Sequence, residues 1–294
     1  MGRVILGLFC LFLSGNATTL WACSSCGSGG ADPVILNPSE SHKLYLGLGV
    51  QSAFQDIDSQ GQLRKSDGPD SKWLLELAYV RRFTNRIFAS VVGDLGLNQK
   101  HDREQAGVGD VTLNTRATLL QPTMLEPELP QLQLLLSRRF ATGRSVNQSR
   151  EEAYLDVYGA GSSEFYAGFD AWWGMMPVLF GFSYLHGWPS AEEIPEGTLQ
   201  QGQLQRFIVT GGHMLAPELK LIGGVIADQR RASELDTREQ ERSSRRLQSL
   251  FLTLETLHPE GDNLRVTLTR RGVLGDNRNG VSAWGITLAW MSLL

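Results

Sequence analysis

The chain has 294 residues, with 27 basic and 31 acidic side chains and a formal net charge of −4. This balance disfavours nucleic acid as a partner, and a hydrophobic content of 41% excludes a disordered chain. The one long uninterrupted apolar stretch lies near the start. The next richest run, 173–185, is interrupted by Pro177 and is shorter than the ~20 residues that a spanning helix needs. A polytopic helical membrane protein is therefore excluded.

Residues 1–22 have the three parts of a secretory signal peptide. Arg3 gives the charged start and Val4–Leu13 the apolar core, and the small, polar stretch Ser14–Ala22 offers cleavage after Ala17 or Ala22. The sequence thus predicts that the mature chain is exported.

Two cysteines, Cys23 and Cys26, remain in the exported chain, at the start of a predicted N-terminal segment at 23–42. A local disulfide suits an oxidising compartment. Alternatively, Leu20–Cys23 has features of a lipoprotein box, which would make Cys23 the acylated residue. A metal or redox site is favoured less, because the glycine-rich stretch after Cys26 begins no helix and no further ligands lie nearby. We predict no metal and no cofactor.

From Lys43 onward, the hydrophobic pattern has a period of two residues. Leu44, Leu46 and Leu48, for example, alternate with Lys43 and Tyr45. Such alternation is typical of strands with one apolar and one polar face. It predicts twelve strands, at 44–54, 73–82, 86–97, 109–120, 131–141, 163–173, 177–186, 203–214, 218–227, 246–257, 263–271 and 281–293.

The connections between these strands alternate in length. The predicted long connections are 55–72, 98–108, 142–162, 187–202, 228–245 and 272–280. Outer-membrane β-barrels have short periplasmic turns and long extracellular loops. The pattern therefore predicts an all-β protein: an antiparallel transmembrane β-barrel of about 12 strands over 43–294, in the bacterial outer membrane. Its expected partners are membrane lipid, lipopolysaccharide and the barrel-assembly machinery.

Aromatic residues cluster near the predicted strand ends. Trp73, Trp172, Trp173, Trp284 and Trp290 are examples. In membrane barrels, aromatic girdles lie at the two lipid interfaces. We expect these side chains to contact the interfaces.

A resemblance to a known group appears at the fourth predicted strand. The segment Gly107–Leu113, with Gly109 and Asp110, resembles the Gly-x-Gly-Asp-x-x-Leu strand opening of a broad group of bacterial outer-membrane transport proteins. This group includes the phenol-degradation-pathway (MetA-like) channels. The end of the chain, Val281–Leu294, resembles the closing strand by which such barrels are recognised for assembly. The resemblance implies a transporter-like outer-membrane barrel and does not identify a solute.

If the apolar strand faces contact lipid, the opposite faces line the barrel interior. Parity places eleven charged side chains there: Glu76, Asp94, Asp110, Glu164, Asp170, Glu255, Arg116, Arg139, Arg206, Arg265 and Arg271. Two interpretations stay open. The charges line a polar pore in which the arginines set a partly anionic preference, or they pair and fill the interior. The segment 31–42 is a candidate for a partial plug.

The sequence favours a passive or gated channel for an unidentified small solute. The alternative is a structural or surface-interaction barrel, for which the charged stretch 229–246 offers a contact with lipopolysaccharide phosphates. A barrel lipid hydrolase is favoured least, because no His-x-Ser motif occurs and the five histidines are scattered. We therefore predict no enzymatic activity.

Overall fold

A computed structural model describes residues 36, 40–66, 70–122, 129–151, 154–175, 177–256, 258 and 262–293. The predicted signal peptide and both Cys23 and Cys26 lie outside these residues. Within them, twelve long strands form a single antiparallel sheet. These strands are β1 (His42–Ile57), β2 (Ser71–Arg82), β3 (Ile87–Lys100), β4 (Val111–Leu120), β5 (Gln131–Phe140), β6 (Glu164–Met175), β7 (Val178–Pro189), β8 (Leu204–Ala216), β9 (Leu219–Arg230), β10 (Arg245–Thr256), β11 (Asn263–Arg271) and β12 (Gly280–Leu293).

The sheet closes on itself. Each strand pairs with its neighbour in chain order, and β12 pairs with β1 from Lys43↔Leu293 to Ile57↔Gly280, with a register shift between Ser52 and Gln55. A closed sheet leaves no edge of unpaired backbone groups, which is what a spanning β-structure requires in lipid. The predicted twelve-stranded antiparallel barrel is confirmed. Among the described residues, no helix is long and apolar enough to cross a membrane.

Several predicted loops contain β-structure. β3 continues to Lys100 and pairs with a further strand, Arg103–Val108, so the predicted loop at 98–108 is wrong. Four short strands within 190–239 form a second sheet beyond the barrel. These extensions escape the period-two pattern because a strand outside lipid needs no apolar outer face.

An apolar belt surrounds the outer face of the barrel. Leu48, Leu77, Leu252 and many similar side chains are exposed on it. Exposed aromatic residues lie toward both ends: Trp73, Phe165, Trp188 and Trp284 toward the long connections, and Phe83, Trp173 and Trp290 toward the short turns. An outer face of this kind is suited to lipid.

Trp172 is an exception to the predicted girdles. It is 1% exposed and packs with Leu179 and Ile222 in an inward-facing cluster. The prediction that Trp172 contacts a lipid interface is therefore wrong. Trp172 and Trp173 are adjacent on β6, so their side chains point to opposite faces of the sheet, and only Trp173 points outward.

A second inner cluster lies at the end of the barrel that carries the short turns. Leu36 is buried there against Tyr45, Val80, Phe88 and Met291. Leu36 belongs to the predicted N-terminal segment, so this residue of the segment lies inside the barrel. Glu40 then leads into β1, paired with Lys43 at 2.8 Å.

The loop lengths give a testable orientation. We expect an epitope tag inserted after Glu241, in a long connection, to bind antibody on intact cells. A tag between Pro217 and Glu218, in a short turn, should bind antibody only after the outer membrane is permeabilised. Immunofluorescence on the two strains measures this, and the reverse labelling pattern contradicts the orientation.

Candidate functional site in the barrel interior

The middle of the inner wall holds a buried ion pair. Arg116 of β4 contacts Asp170 of β6 through Nη1 and Oδ2, and the two side chains are 2% and 9% exposed. The Arg116 Nη1 also lies 3.5 Å from the Gln133 Oε1 of the intervening strand β5. The pair therefore bridges three strands within a dry part of the wall.

Glu164 is the centre of a second buried cluster, nearer the long connections. Its carboxylate accepts from Arg139 Nη2 at 2.7 Å, from Arg230 Nη2 at 3.1 and 3.0 Å, and from the Tyr166 hydroxyl at 2.7 Å. The Arg139 Nε also lies 3.6 Å from Asp110 Oδ2. Glu164 has no exposed side-chain surface, so two guanidinium groups compensate its charge in place of water.

A third cluster lies toward the short turns. Glu255 is fully buried, and Lys220 Nζ and Arg265 Nη2 both lie 3.5 Å from its Oε2. The contacts of Glu255 are those of charged groups that neutralise one another. Glu76 shares a side-chain hydrogen bond with Tyr45, which also interacts electrostatically with Arg265.

Arg206, Arg245 and Arg271 lie on the inner face of the half of the barrel nearer the long connections. Arg206 makes a bidentate pair with Asp228, at 2.6 and 2.9 Å. Arg245 and Arg271 are exposed, and neither makes an ion pair or a side-chain hydrogen bond with a described residue. Of the five predicted lumen arginines, Arg271 thus differs from the paired four.

The Gly-x-Gly-Asp motif anchors the long connection 141–163. Asp110 accepts hydrogen bonds from the backbone N–H groups of Gly143 at 3.1 Å and Ala160 at 2.9 Å. Gly109 lies against Asp94, and a Cβ at this position would overlap the Asp94 carboxylate. The motif therefore holds both ends of one connection against the barrel wall.

Tyr158 places part of this connection on the inner face of β3. A Cβ at Gly96 or Gly107 would overlap the Tyr158 ring, and its hydroxyl donates to the carbonyl of Gln105. The Asn98 side chain donates to the carbonyls of Leu155 and Val157, at 2.9 and 3.1 Å. The connection 141–163 thus narrows the barrel mouth on the β3 side.

Asp156 stabilises the fold of this connection. It is buried and accepts from Ser149 Oγ, from the Arg150 N–H at 3.0 Å and from Arg144 Nη1 at 2.7 Å. Desolvation raises the pKa of the Asp156 carboxyl, but these hydrogen bonds outweigh it and lower the pKa from its ordinary 3.8 to about 2. The hydrogen bonds within this connection therefore favour the ionised form of Asp156.

The lowered pKa predicts acid opening of this connection. A group whose pKa is lower in the folded state stabilises that state above its unfolded pKa, and the contribution is lost between about pH 4 and about pH 2. We expect pepsin to cleave within 144–159 at about pH 2 and to spare it at about pH 4. Asp156→Asn should be cleaved at both, whereas Asp102→Asn, in an exposed turn, should match the unsubstituted chain. Mass spectrometry of the fragments measures this, and equal cleavage of the unsubstituted chain at both pH values contradicts it.

The described histidines lie at separate places in the barrel, and His42 Nδ1 at the start of β1 lies 3.0 Å from the Ser41 Oγ. His186 points outward, with Nδ1 3.3 Å from the Tyr184 hydroxyl and its ring next to Trp188. His101 lies in an exposed turn near Asp70. In the described part of the chain, no group of three or more His, Cys, Asp or Glu side chains is arranged to hold a metal ion.

Sequence parity missed several members of these clusters. Lys220 and Arg230 complete the pairs around Glu255 and Glu164, and Arg245 lies beside Arg271. The parity signal was present, since Arg230 follows Asp228 by two residues and Arg245 precedes the buried Leu247 by two. Both arginines belong to the predicted long connection 228–245, and strand parity was not applied to residues that were expected to form a loop.

Comparison with protein-family models gives no match, and comparison with curated proteins gives none either. Solved structures do match. An outer-membrane channel from Pseudomonas putida F1 is 14% identical, with a TM-score of 0.68 over 87% of this chain and 96% of that chain. The NanC porin is 11% identical, with a TM-score of 0.52 over 85% of this chain and 99% of that chain. The chain therefore has the β-barrel fold of bacterial outer-membrane channels.

Proposed function

We propose that the protein is an outer-membrane channel for a small solute, with a passage along one side of the barrel interior. The observation that carries this proposal is the exposure of inward-facing side chains on β10, β11 and β2. Arg245 and Arg271 are exposed, and Leu74 is 36% exposed. Inward side chains reach solvent only where the interior is not filled by protein.

The opposite side of the interior is densely packed. On β4, β5 and β6 the inward side chains of Asn114, Arg116, Gln133, Leu135 and Asp170 are all buried. The barrel is thus partly filled, and the remaining space follows β9 to β12 and continues to β1 and β2. This asymmetry combines the two interpretations of the charged interior: pairing fills one side, and solvent reaches the other.

The passage narrows toward the short turns. Tyr45, Ala289 and Met291, which face inward there, are 4%, 1% and 1% exposed and pack with Leu36. A gated channel is supported by this arrangement, because a small rearrangement of the Leu36 contact would lengthen the solvent-accessible space.

The names of the matched structures support the same function. One is described as an outer-membrane channel and the other as a porin. The apolar outer belt supports contact with membrane lipid.

Liposome swelling tests the proposal. Liposomes that contain the full mature chain should swell in an isotonic solution of a small uncharged sugar faster than protein-free liposomes, and more slowly in a tetrasaccharide. Leu36→Ala should increase the rate, because it removes buried contacts from the narrow end. Swelling equal to that of protein-free liposomes, for both proteins, would instead favour a structural barrel with a filled interior.

A further inference from the structure

Three guanidinium groups surround a single carboxylate in the half of the barrel nearer the long connections. Asp228 of β9 accepts from Arg206 Nε at 2.6 Å and from Arg206 Nη2 at 2.9 Å, so each carboxylate oxygen already has a donor. Arg271 interacts electrostatically with Arg206, Arg245 and Asp228. Arg245 interacts with the same carboxylate and also with Arg230. Glu164 also interacts with Arg206, but Arg139 and Arg230 already compensate its charge. The basic charge around Asp228 therefore exceeds the acidic charge.

The strand register explains how these groups come together. Asp228 pairs with Leu247 on β10, and Arg245 lies two residues from Leu247 toward the long connections. Arg271 pairs with Ser249, two residues from Leu247 in the other direction. At the rise of a β-strand, two residues span about 7 Å, which an arginine side chain can cover. Arg245 and Arg271 thus flank the Arg206–Asp228 pair from both ends.

The two flanking arginines have unused hydrogen-bond donors. Neither makes an ion pair or a side-chain hydrogen bond with a described residue, and both are exposed on the inner face. Lys72 of β2 adds a further positive charge, since it interacts electrostatically with Arg271. Like charges held close together repel one another unless an anion lies between them.

The neighbouring outward-facing arginines behave differently. Arg246 lies 3.7 Å from Asp276, and Arg270 donates to Ser282 at 2.7 Å and stacks over Trp284. Arginines on the outer face of the same strands therefore have partners. Among the arginines of β10 and β11, only Arg245 and Arg271 therefore lack an ion pair or side-chain hydrogen bond with a described residue.

We propose that Arg245 and Arg271 bind a doubly charged oxyanion, namely the sulfate, phosphate or dicarboxylate group of a small solute, with Arg206 and Lys72 adding attractive charge. A guanidinium group presents N–H donors in a planar fork that matches oxyanions and stays charged at every working pH. This inference rests on the proposed channel function and gives its solute a chemical class. Arg116, Arg139 and Arg265 are not expected to bind such an anion, because carboxylates already neutralise their charges.

Sulfate is a suitable probe because it is dianionic throughout the neutral pH range. Isothermal titration of the full mature chain in detergent micelles should detect sulfate binding. Arg245→Gln and Arg271→Gln should each weaken it at least about tenfold, as expected for the loss of a charge-assisted hydrogen bond. Because each substitution relieves repulsion, neither should lower the melting temperature. Arg245→Lys should bind with intermediate affinity, since it keeps the charge and loses the fork.

Arg246→Gln and Arg270→Gln are matched controls, one residue away on the outer face, and should bind sulfate like the unsubstituted chain. Failure of the unsubstituted chain to bind sulfate would overturn the inference, as would equal weakening by the inner and outer substitutions. Sulfate binding that depends on Arg245 and Arg271, without liposome swelling, would retain the anion site and reject the channel. Swelling without such binding would retain the channel and reject the anion site.

Discussion

Arg116→Met should lower the free energy of unfolding by about 3–5 kcal/mol, because it leaves the Asp170 carboxylate buried without a partner. The two side chains are 2% and 9% exposed, so water does not replace the lost guanidinium. Methionine keeps most of the volume of the arginine stem, which limits the contribution of a cavity. Guanidinium-induced unfolding in detergent micelles, followed by tryptophan fluorescence, measures the change.

The double variant Arg116→Met/Asp170→Leu separates charge from packing. Replacing both members of a buried ion pair by apolar residues of similar volume is often neutral, so most of the lost stability should return. A loss below about 1 kcal/mol in the single variant would contradict burial of the pair. An equal loss in the single and double variants would assign the effect to packing.

Glu164→Gln should lower stability by about 3 kcal/mol or more, because one carboxylate compensates both Arg139 and Arg230. Glutamine keeps the shape of the side chain and an acceptor for the Tyr166 hydroxyl. The substitution also leaves more positive charge in the half of the barrel that holds Arg245 and Arg271. The anion-to-cation permeability ratio should therefore rise, opposite to the effect of Arg245→Gln.

Unfolding in denaturant and reversal potentials in a KCl gradient measure the two effects of Glu164→Gln. Glu218→Gln is the matched control, since Glu218 is exposed in a short turn and should change neither quantity. Unchanged stability in Glu164→Gln would refute the buried cluster. Lower stability with an unchanged permeability ratio would mean that the charge of Glu164 does not act on permeating ions.

The barrel itself was predictable because lipid imposes a strict rule. Each spanning strand must present apolar side chains outward, and this gives the period-two pattern that is seen at Leu44, Leu46 and Leu48. Strands that extend outside the lipid do not need an apolar outer face. The Arg103–Val108 strand and the small sheet beyond the barrel were consequently missed, although they are β-structure.

Parity gives the face of a residue but not its partner. Arg116 and Asp170 are 54 residues apart and lie on strands separated by β5, so their contact depends on the stagger of three strands. For Arg245, even the face was not predicted. Its inward position follows from the parity of Leu247, but a surrounding run of charged residues is typical of a loop. Which arginine stays unpaired is decided only by the positions of all the carboxylates.

The motif Gly107–Leu113 indicated an outer-membrane barrel from the sequence, but its contacts could not be predicted. Its aspartate, Asp110, binds backbone N–H groups of a connection more than 30 residues away, and Gly107 makes room for Tyr158. Both contacts are long-range, so spacing alone could not assign them. They give the motif a structural role at the barrel mouth.

Single-channel current through the purified, full mature chain in a planar bilayer tests the central claim most directly. A solvent-filled passage along β9 to β12, β1 and β2 predicts discrete current steps, which Arg245→Gln makes less anion-selective and Arg246→Gln leaves unchanged. Complete absence of current from the unsubstituted chain and from Leu36→Ala, in protein whose mobility on gels shifts with heating as a folded barrel's does, would contradict a passage and leave a barrel filled by its own ion pairs.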